Sequence, residues 1–225
     1  MDKLTFNDWG LITYSEAYNR QKELFETAIR QKSEHRETQQ TVVFCEHPHV
    51  ITIGKNGSAS NLLFPEKILK EKQVELYQVD RGGDVTYHGP GQLICYPVLD
   101  LEAFHTGLKD YIFLLEEIII RLLDYYLLKG ERLAGTAGVW LQAADPKKVR
   151  KICAIGVKSS RYIVMHGFAL NVSTDLSYYR LINPCGIKDK GVTSLEKELN
   201  CKIDIEELKK ILKDIFINQL VSCCH

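Results

Sequence analysis

The strongest constraint on the fold comes from residues 151–187, where two apolar runs lie on either side of a short polar segment. The runs cover residues 152–157 and 163–172, and the residues between them, 158–161, are polar and typical of a turn. This pattern predicts a β-hairpin followed by an irregular segment. Such a hairpin could bring Lys151 and Cys185 to one site despite their separation in sequence.

Cys185 lies between Pro184 and Gly186, a setting that favours a reactive thiol. The two neighbours would fix a sharp turn and leave the sulfur uncrowded. A thiol near the ammonium of Lys151 is a suitable nucleophile, because positive charge stabilises the thiolate. The alternative is that Cys185 is a small buried apolar side chain and Lys151 a solvated strand end. These residues alone leave both interpretations open.

The length and charge of the chain favour one domain over residues 1–225 with a substantial core, since no Ser/Pro/Gly-rich linker or repeat is present. The 29 basic and 29 acidic residues balance, which argues against broad binding of nucleic acid or of a membrane surface. The apolar stretch 108–128 contains six charged residues and predicts a helix of a soluble protein. No segment resembles a signal peptide or a membrane anchor.

The seven cysteines have scattered spacings and form no evident disulfide framework. Because the number is odd, at least one thiol is unpaired, and we expect a reducing, cytoplasmic location. Cys45, His47 and His49 surround Pro48, but their spacing matches no zinc pattern. We therefore predict a turn at Pro48 and no metal site.

Periodicity predicts the remaining elements. Strands are expected at residues 4–9, 41–45, 50–53, 74–79, 93–98 and 138–141, where apolar and β-branched residues cluster. Helices are expected at residues 15–32, with Ser15 as N-cap, and at residues 108–128.

A glycine-rich segment, residues 81–92, reads RGGDVTYHGPGQ. Its four glycines and its proline argue against regular structure for most of its length, and it is longer than a simple hairpin turn needs. Glycines let a backbone approach a ligand, and Arg81 could hold a phosphate or a carboxylate. We interpret the segment as a ligand-binding loop, with a tight turn between strands as the alternative. Its spacing matches neither a P-loop nor a dinucleotide fingerprint.

Two stretches together resemble the lipoyl(octanoyl) transferase family. One is residues 81–97, and the other is residues 151–187 with KICAIG, HGFALNV and NPCGI. HPHVITIGKNG, GVW and GVTSL, at residues 47–57, 138–140 and 191–195, support the resemblance, which covers roughly residues 9–199. Val164 departs from the pattern, since a hydroxyl side chain is expected there.

The resemblance implies an α+β single domain with a mixed, mostly antiparallel sheet flanked by helices, as in the biotin and lipoate protein ligases. It implies an acyltransferase that moves an octanoyl or lipoyl group from acyl carrier protein, through a thioester on Cys185, to a lysine of a lipoyl domain. Acceptors would be the lipoyl domains of 2-oxoacid dehydrogenase E2 subunits and the glycine cleavage H protein. A monomer without cofactor is expected.

The same resemblance assigns the site. Cys185 matches the cysteine that accepts the acyl group, and Lys151 matches the lysine that activates it. His88 and His166 are expected to be hydrogen-bonding walls. The residues matching the acyl site are Arg81, Gly82, Gly83, Asp84, Val85, Thr86, Tyr87, His88, Ala154, Ile155, Gly156, Gly167, Phe168 and Ala169.

The chemistry agrees with these residue types. A thioester donor and an amine acceptor suit transfer in two steps through an acyl-enzyme, with backbone N–H groups holding the oxyanion. If Lys151 also removes a proton from the acceptor, its pKa must be lowered.

Three alternatives remain. The first is an ATP-dependent lipoate ligase, which needs no cysteine and is therefore disfavoured by Cys185. The second is a non-catalytic module that binds an acyl group or cofactor, and the third is transfer through Cys185 between two lipoyl domains.

Overall fold

A computed structural model describes residues 4–183 and 190–223, which form an α+β fold with two sheets. The helices are α1 (Tyr14–Ser33), α2 (Glu66–Glu71), α3 (Leu108–Tyr125), α4 (Leu195–Leu199) and α5 (Ile205–Cys223). The strands are β1 (Leu4–Leu11), β2 (Gln40–Glu46), β3 (Val50–Ile53), β4 (Glu75–Gln78), β5 (Val85–His88), β6 (Gln92–Asp100), β7 (Glu131–Leu133), β8 (Thr136–Leu141), β9 (Arg150–Ser160), β10 (Ile163–Asn171) and β11 (Gly191–Val192).

The main sheet has the strand order β1-β2-β6-β10-β9-β8-β7, with β11 added beside β9. Its pairs are antiparallel except for β1 with β2 and β11 with β9. The expected mixed, mostly antiparallel sheet flanked by helices is thus confirmed. A separate three-stranded sheet, β4-β3-β5, was not foreseen.

Helices cover both faces of the main sheet. Alternate residues of β10 face opposite sides, as the period of a strand requires. Ile163 and Met165 pack with α1, whereas Val164 and Leu170 belong to the largest core, which α3 and α5 complete. Among the described helices, none is long and apolar enough to cross a lipid bilayer.

The hairpin predicted for residues 152–172 is formed by β9 and β10. Its turn consists of Arg161 and Tyr162 alone, with φ values of 51° and 65°. Positive φ at both central residues is typical of the two-residue type I′ turn, whose twist suits paired strands. The polar residues 158–160, expected in the turn, continue β9 instead.

Three local details differ from the sequence-based expectations. Thr13, not Ser15, is the N-cap of α1, and its hydroxyl accepts a 3.4 Å hydrogen bond from the backbone N–H of Glu16. Helix α3 ends at Tyr125, before Leu127 with its left-handed φ of 57°. The glycine-rich segment contains the short strand β5.

Candidate active site

A cavity of about 840 Å³ lies between β9 and β10 of the main sheet and the glycine-rich segment with β5. Lys151 lines it, together with all but one of the residues expected at the acyl site. Those lining residues are Arg81, Gly82, Gly83, Asp84, Val85, Thr86, His88, Ala154, Ile155, Gly156, Gly167, Phe168 and Ala169. Segments distant in sequence therefore meet at one place.

Small residues form the part of the wall that β9 and β10 supply. Gly156 pairs with Gly167, and Ala154 pairs with Ala169. A Cβ atom on Gly167 would lie 2.3 Å from the carbonyl oxygen of Cys95 on β6, so only glycine fits there. A Cβ atom on Gly156 would lie 2.8 Å from the carbonyl oxygen of Gly82, so this glycine lets the glycine-rich segment approach β9 closely.

Arg81 holds its own loop in place. Its Nη2 donates to the carbonyl oxygen of Thr52 at 3.0 Å, to the Thr52 hydroxyl at 2.8 Å and to the carbonyl oxygen of Asp84 at 2.8 Å. The backbone N–H of Gly82 donates to the carbonyl oxygen of Val157 at 2.9 Å, which fastens the loop to β9. These bonds show that Arg81 shapes the cavity that it lines, and its role in holding an anion stays a prediction.

Tyr87 is the expected acyl-site residue that does not line the cavity. Alternate side chains of a strand face opposite sides, so Thr86 and His88 of β5 face the cavity and Tyr87 faces away. Its fully buried ring stacks on Tyr178 at 5.1 Å, and its hydroxyl lies 2.7 Å from Nδ1 of His49. Tyr87 stabilises the small sheet from the other side.

His88 is a buried hydrogen-bonding wall. Its Nδ1 lies 2.7 Å from Oε1 of Gln92, whose amide nitrogen donates to Oδ1 of Asn171 at 2.8 Å. Since the Gln92 oxygen accepts, Nδ1 of His88 carries the proton. Burial lowers the pKa of His88 to about 3, and the charges of His47 and Arg81 act in the same direction. The ring is therefore neutral at physiological pH.

His166 lines the cavity with a left-handed φ of 61°. Its Nε2 lies 3.1 Å from Oδ1 of Asp80, and Oδ2 of Asp80 accepts from Lys158 at 2.5 Å. Burial lowers the pKa of His166, although the Asp80 carboxylate opposes this. His166 pairs with Val157, six positions from Lys151 along β9, which is roughly 20 Å of strand. This separation supports a role as wall and not as a proton carrier beside Lys151.

Lys151 reaches the cavity over the ring of Trp140. Its Nζ lies 4.5 Å from the ring centre and donates to the carbonyl oxygen of Ala137 at 3.3 Å. The buried carboxylate of Glu116 on α3 accepts from the backbone N–H of Gly138 at 3.0 Å and so fixes the start of β8. No pattern in the sequence indicates a site role for Glu116, and Trp140 stands out there only as part of the GVW motif.

Cys185, Pro184 and Gly186 lie outside the described residues. The chain on either side reaches the cavity, because Tyr179 and Lys190 both line it. Strand β11 pairs in parallel with β9, with Val192 opposite Lys151.

Cys45, Cys95 and Cys153 are buried, and burial raises the pKa of each thiol, so they are poor nucleophiles. Cys201 is exposed. Within residues 4–183 and 190–223, no cluster of three or more His, Cys, Asp or Glu could hold a metal ion. His47 instead lies 2.8 Å from the hydroxyl of Tyr96.

Solved structures share this fold at low sequence identity. A bipartite lipoate protein ligase from Thermoplasma acidophilum superposes with a TM-score of 0.70 at 15% identity, covering 97% of this chain and 84% of that one. A lipoate-protein ligase A bound with ATP superposes with a TM-score of 0.68 at 16% identity, covering 97% of this chain and 85% of that one. At these identities the likeness concerns the fold alone.

Sequence relatives are much closer. A protein of Parabacteroides distasonis named octanoyltransferase is 54% identical over 217 residues, covering 96% of this chain and 98% of the relative. One of the same name from Bacteroides thetaiotaomicron is 51% identical over 211 residues, covering 94% and 92%. The family model described as the lipoyl protein ligase A/B catalytic domain matches residues 13–217. The chain therefore belongs to the lipoyl protein ligase A/B catalytic domain family.

Proposed function

We propose that this protein is an octanoyltransferase of protein lipoylation, an acyltransferase that works through a thioester on Cys185. One observation carries the proposal: Lys151 and the expected acyl-site segments line a single cavity with a floor of small residues. The close relatives named octanoyltransferase support the same activity.

In the first step the Cys185 thiolate attacks the carbonyl carbon of an octanoyl thioester. A new carbon–sulfur bond forms, the donor thiolate leaves, and it takes up a proton. The ammonium of Lys151 stabilises the attacking thiolate, and backbone N–H groups near the glycines are suited to the oxyanion. In the second step the neutral amine of the acceptor lysine attacks the enzyme thioester and forms an amide bond, while the carbon–sulfur bond breaks and releases the Cys185 thiolate. The proton of the amine passes to water or to Lys151, which is free to accept it once its own proton has gone to the donor thiolate.

The position of Lys190 makes this geometry reachable. Lys190 lines the cavity, and two residues later Val192 pairs with Lys151. Five positions separate Cys185 from Lys190, a length of chain that spans at most about 17 Å. The thiol can therefore reach the ammonium without a change in β9 or β11.

The proposed donor is octanoyl- or lipoyl-acyl carrier protein. The proposed acceptors are the lipoyl domains of 2-oxoacid dehydrogenase E2 subunits and the glycine cleavage H protein. The similar ligase from Thermoplasma acidophilum was described together with an E2 lipoyl domain, which supports an acceptor of this type. A cytoplasmic monomer is part of the proposal.

The test is acylation without ATP. The protein is incubated with octanoyl-acyl carrier protein, the adduct is mapped by mass spectrometry, and a lipoyl domain is then added. We expect an octanoyl group on Cys185 that moves to the acceptor lysine. Cys185→Ser should abolish the adduct, whereas Cys201→Ser, at an exposed cysteine, should not. An adduct on another cysteine would contradict the role of Cys185. Strict dependence on ATP would contradict the proposal and favour a ligase.

A further inference from the structure

A second recess lies behind the cavity and shares one wall with it. It encloses about 510 Å³ between the first turns of α1 and the segment that follows β3 and β4. Among the residues that line either space in the described part of the chain, Tyr14 alone lines both. Tyr14 therefore stands between the two spaces.

The ring of Tyr14 is held by aromatic packing. Only 4% of the residue is exposed, and its ring centre lies 5.1 Å from that of Tyr77 and 6.5 Å from that of His88, to which it is nearly parallel. No hydrogen bond within residues 4–183 and 190–223 involves the hydroxyl of Tyr14. Contacts of the ring, and not of the oxygen, therefore fix the position of this side chain.

Tyr14 lies at the end of the cavity far from Lys151. Its ring is 5.4 Å from that of His47, which bonds the hydroxyl of Tyr96. Cys95 of β6 pairs with Phe168 of β10, and Phe168 pairs with Ile155 of β9. The next residues along β6 and β9, Tyr96 and Gly156, therefore lie at the same level of the sheet. Tyr14 and Tyr96 together mark this far end.

The strand register gives the distance along β9 between Lys151 and the level of Tyr96, which can be compared with the length of an acyl chain. Five residues of β9 separate Lys151 from Gly156, which corresponds to roughly 17 Å. The side chain of Lys151 and the thioester occupy the first part of that length. An extended octanoyl chain advances roughly 1.3 Å per bond and so spans about 9 Å, given C–C bonds near 1.5 Å. With its thioester beside the side chain of Lys151, such a chain is expected to end near the level of Tyr14.

We propose that Tyr14 closes the acyl pocket and sets its upper limit on chain length, so that acyl groups much longer than octanoyl are rejected. This inference rests on the proposed function, because it takes Lys151 as the thioester end of the pocket. Removal of the ring would join the cavity to the recess, where Tyr18, Tyr77 and Val79 offer apolar surface to a longer chain.

The test compares acylation rates of Cys185 with octanoyl and dodecanoyl thioesters of acyl carrier protein. One methylene that fits or fails to fit an apolar pocket changes kcat/KM by about tenfold or more. The wild type should therefore prefer octanoyl over dodecanoyl by at least about tenfold. Tyr14→Ala should reduce this ratio by about tenfold or reverse it. Tyr14→Phe, which keeps the ring, should retain the wild-type ratio.

Asn19→Ala is the matched control. Asn19 lies on the same helix and lines the recess but not the cavity, so its loss should leave the ratio unchanged. Circular dichroism establishes that each variant is folded, and Tyr14→Leu replaces Tyr14→Ala if the latter is not.

Three outcomes decide the matter. Equal rates with both thioesters in the wild type would overturn the inference, whatever the variants do. A folded Tyr14→Ala or Tyr14→Leu protein with the wild-type ratio of octanoyl to dodecanoyl rates would also overturn the inference. If Cys185 is still acylated in that case, the proposed function remains intact. Absence of any adduct on Cys185 in the wild type would refute the proposed function, and this inference with it.

Discussion

The ammonium nitrogen of Lys151 lies 4.5 Å from the centre of the Trp140 ring, and the two residues are paired across β9 and β8. A cation over an indole face is attracted by the negative charge density of the ring. The carbonyl oxygen of Ala137 accepts a hydrogen bond from the same nitrogen. These contacts orient the ammonium group in the cavity before any substrate arrives.

Replacement of Lys151 tests whether this ammonium activates Cys185. In Lys151→Met the nearby positive charge is lost, so the pH midpoint for alkylation of Cys185 by iodoacetamide should rise towards about 8.5, the value of an isolated thiol. The wild-type midpoint should lie clearly lower. The measurement is the rate of alkylation at Cys185 as a function of pH.

Lys151→Arg is the informative control, since arginine keeps the charge but stays protonated and cannot act as a base. We expect this variant to retain part of the first acyl transfer and to fail in transfer to the acceptor lysine. Single-turnover rates for each half-reaction separate the two roles. Wild-type alkylation profiles in both variants would show that Lys151 does not activate Cys185.

Trp140 should contribute to the first half-reaction through its aromatic face. Its buried indole N–H has no hydrogen-bond partner among the described residues, so Trp140→Phe removes no hydrogen bond and keeps a ring beneath Lys151. Trp140→Leu removes the ring. Since a cation–π contact contributes about 0.5–2 kcal/mol, we expect the leucine variant to acylate roughly 2–30-fold more slowly than the phenylalanine variant. Equal single-turnover rates in the two would exclude a role for the cation–π contact.

Local signals in the sequence were sufficient for much of the fold. The β9–β10 hairpin follows from two apolar runs around a turn. The cavity follows from the glycine-rich segment, which is longer than a simple turn needs and rich in hydrogen-bonding side chains. Tyr87 shows where this reasoning failed, because it took the whole segment as one binding surface. Adjacent side chains of a strand point to opposite faces, so Tyr87 points away from the cavity that its two neighbours in β5, Thr86 and His88, line.

The remaining site residues depend on contacts between distant segments. Tyr14 stands one residue before the predicted helix 15–32 and has no signal of its own in the sequence. Only the approach of β4 and β5 makes it a wall between two spaces. Glu116 reads as a charge within an apolar helix, and only the approach of β7 and β8 shows that it accepts from Arg132 and from the backbone N–H of Gly138. Sequence periodicity carries no information about such pairings.

Gly167 should be the glycine of the cavity most sensitive to substitution. A Cβ atom there would lie 2.3 Å from the carbonyl oxygen of Cys95 and 2.5 Å from Cδ of Pro97, and φ is 153°. Gly167→Ala should lower the free energy of unfolding by about 3 kcal/mol or more, through overpacking and backbone strain. The measurement is equilibrium unfolding in urea.

Gly135→Ala provides the matched control for this prediction. Gly135 also has a positive φ, 80°, but a Cβ atom there would meet nothing within 4 Å. Its substitution should cost only the backbone term, about 1 kcal/mol. If the two variants unfold alike, steric contact with β6 is not what requires glycine at position 167.

The buried His88 should make stability depend on pH. Its pKa in the folded protein is about 3 because burial disfavours the charged ring, whereas an unfolded histidine titrates near ~6.5. Between these values the unfolded state binds more protons, so the free energy of unfolding falls as the pH drops below about 6.5, by at most about 1.4 kcal/mol per pH unit for this residue. His47, whose pKa burial lowers to about 4, acts in the same direction.

His88→Asn removes this titration while its amide can still donate to Oε1 of Gln92 in place of Nδ1. We expect the variant to be less stable than the wild type at pH 7, because a cavity remains where the ring was, but to lose less stability between pH 7 and pH 5. Urea unfolding at a series of pH values measures both effects. His105→Asn is the control, since it removes an exposed side chain that meets water in both states. A slope in His88→Asn as steep as that of the wild type would mean that protonation of His88 is not linked to unfolding.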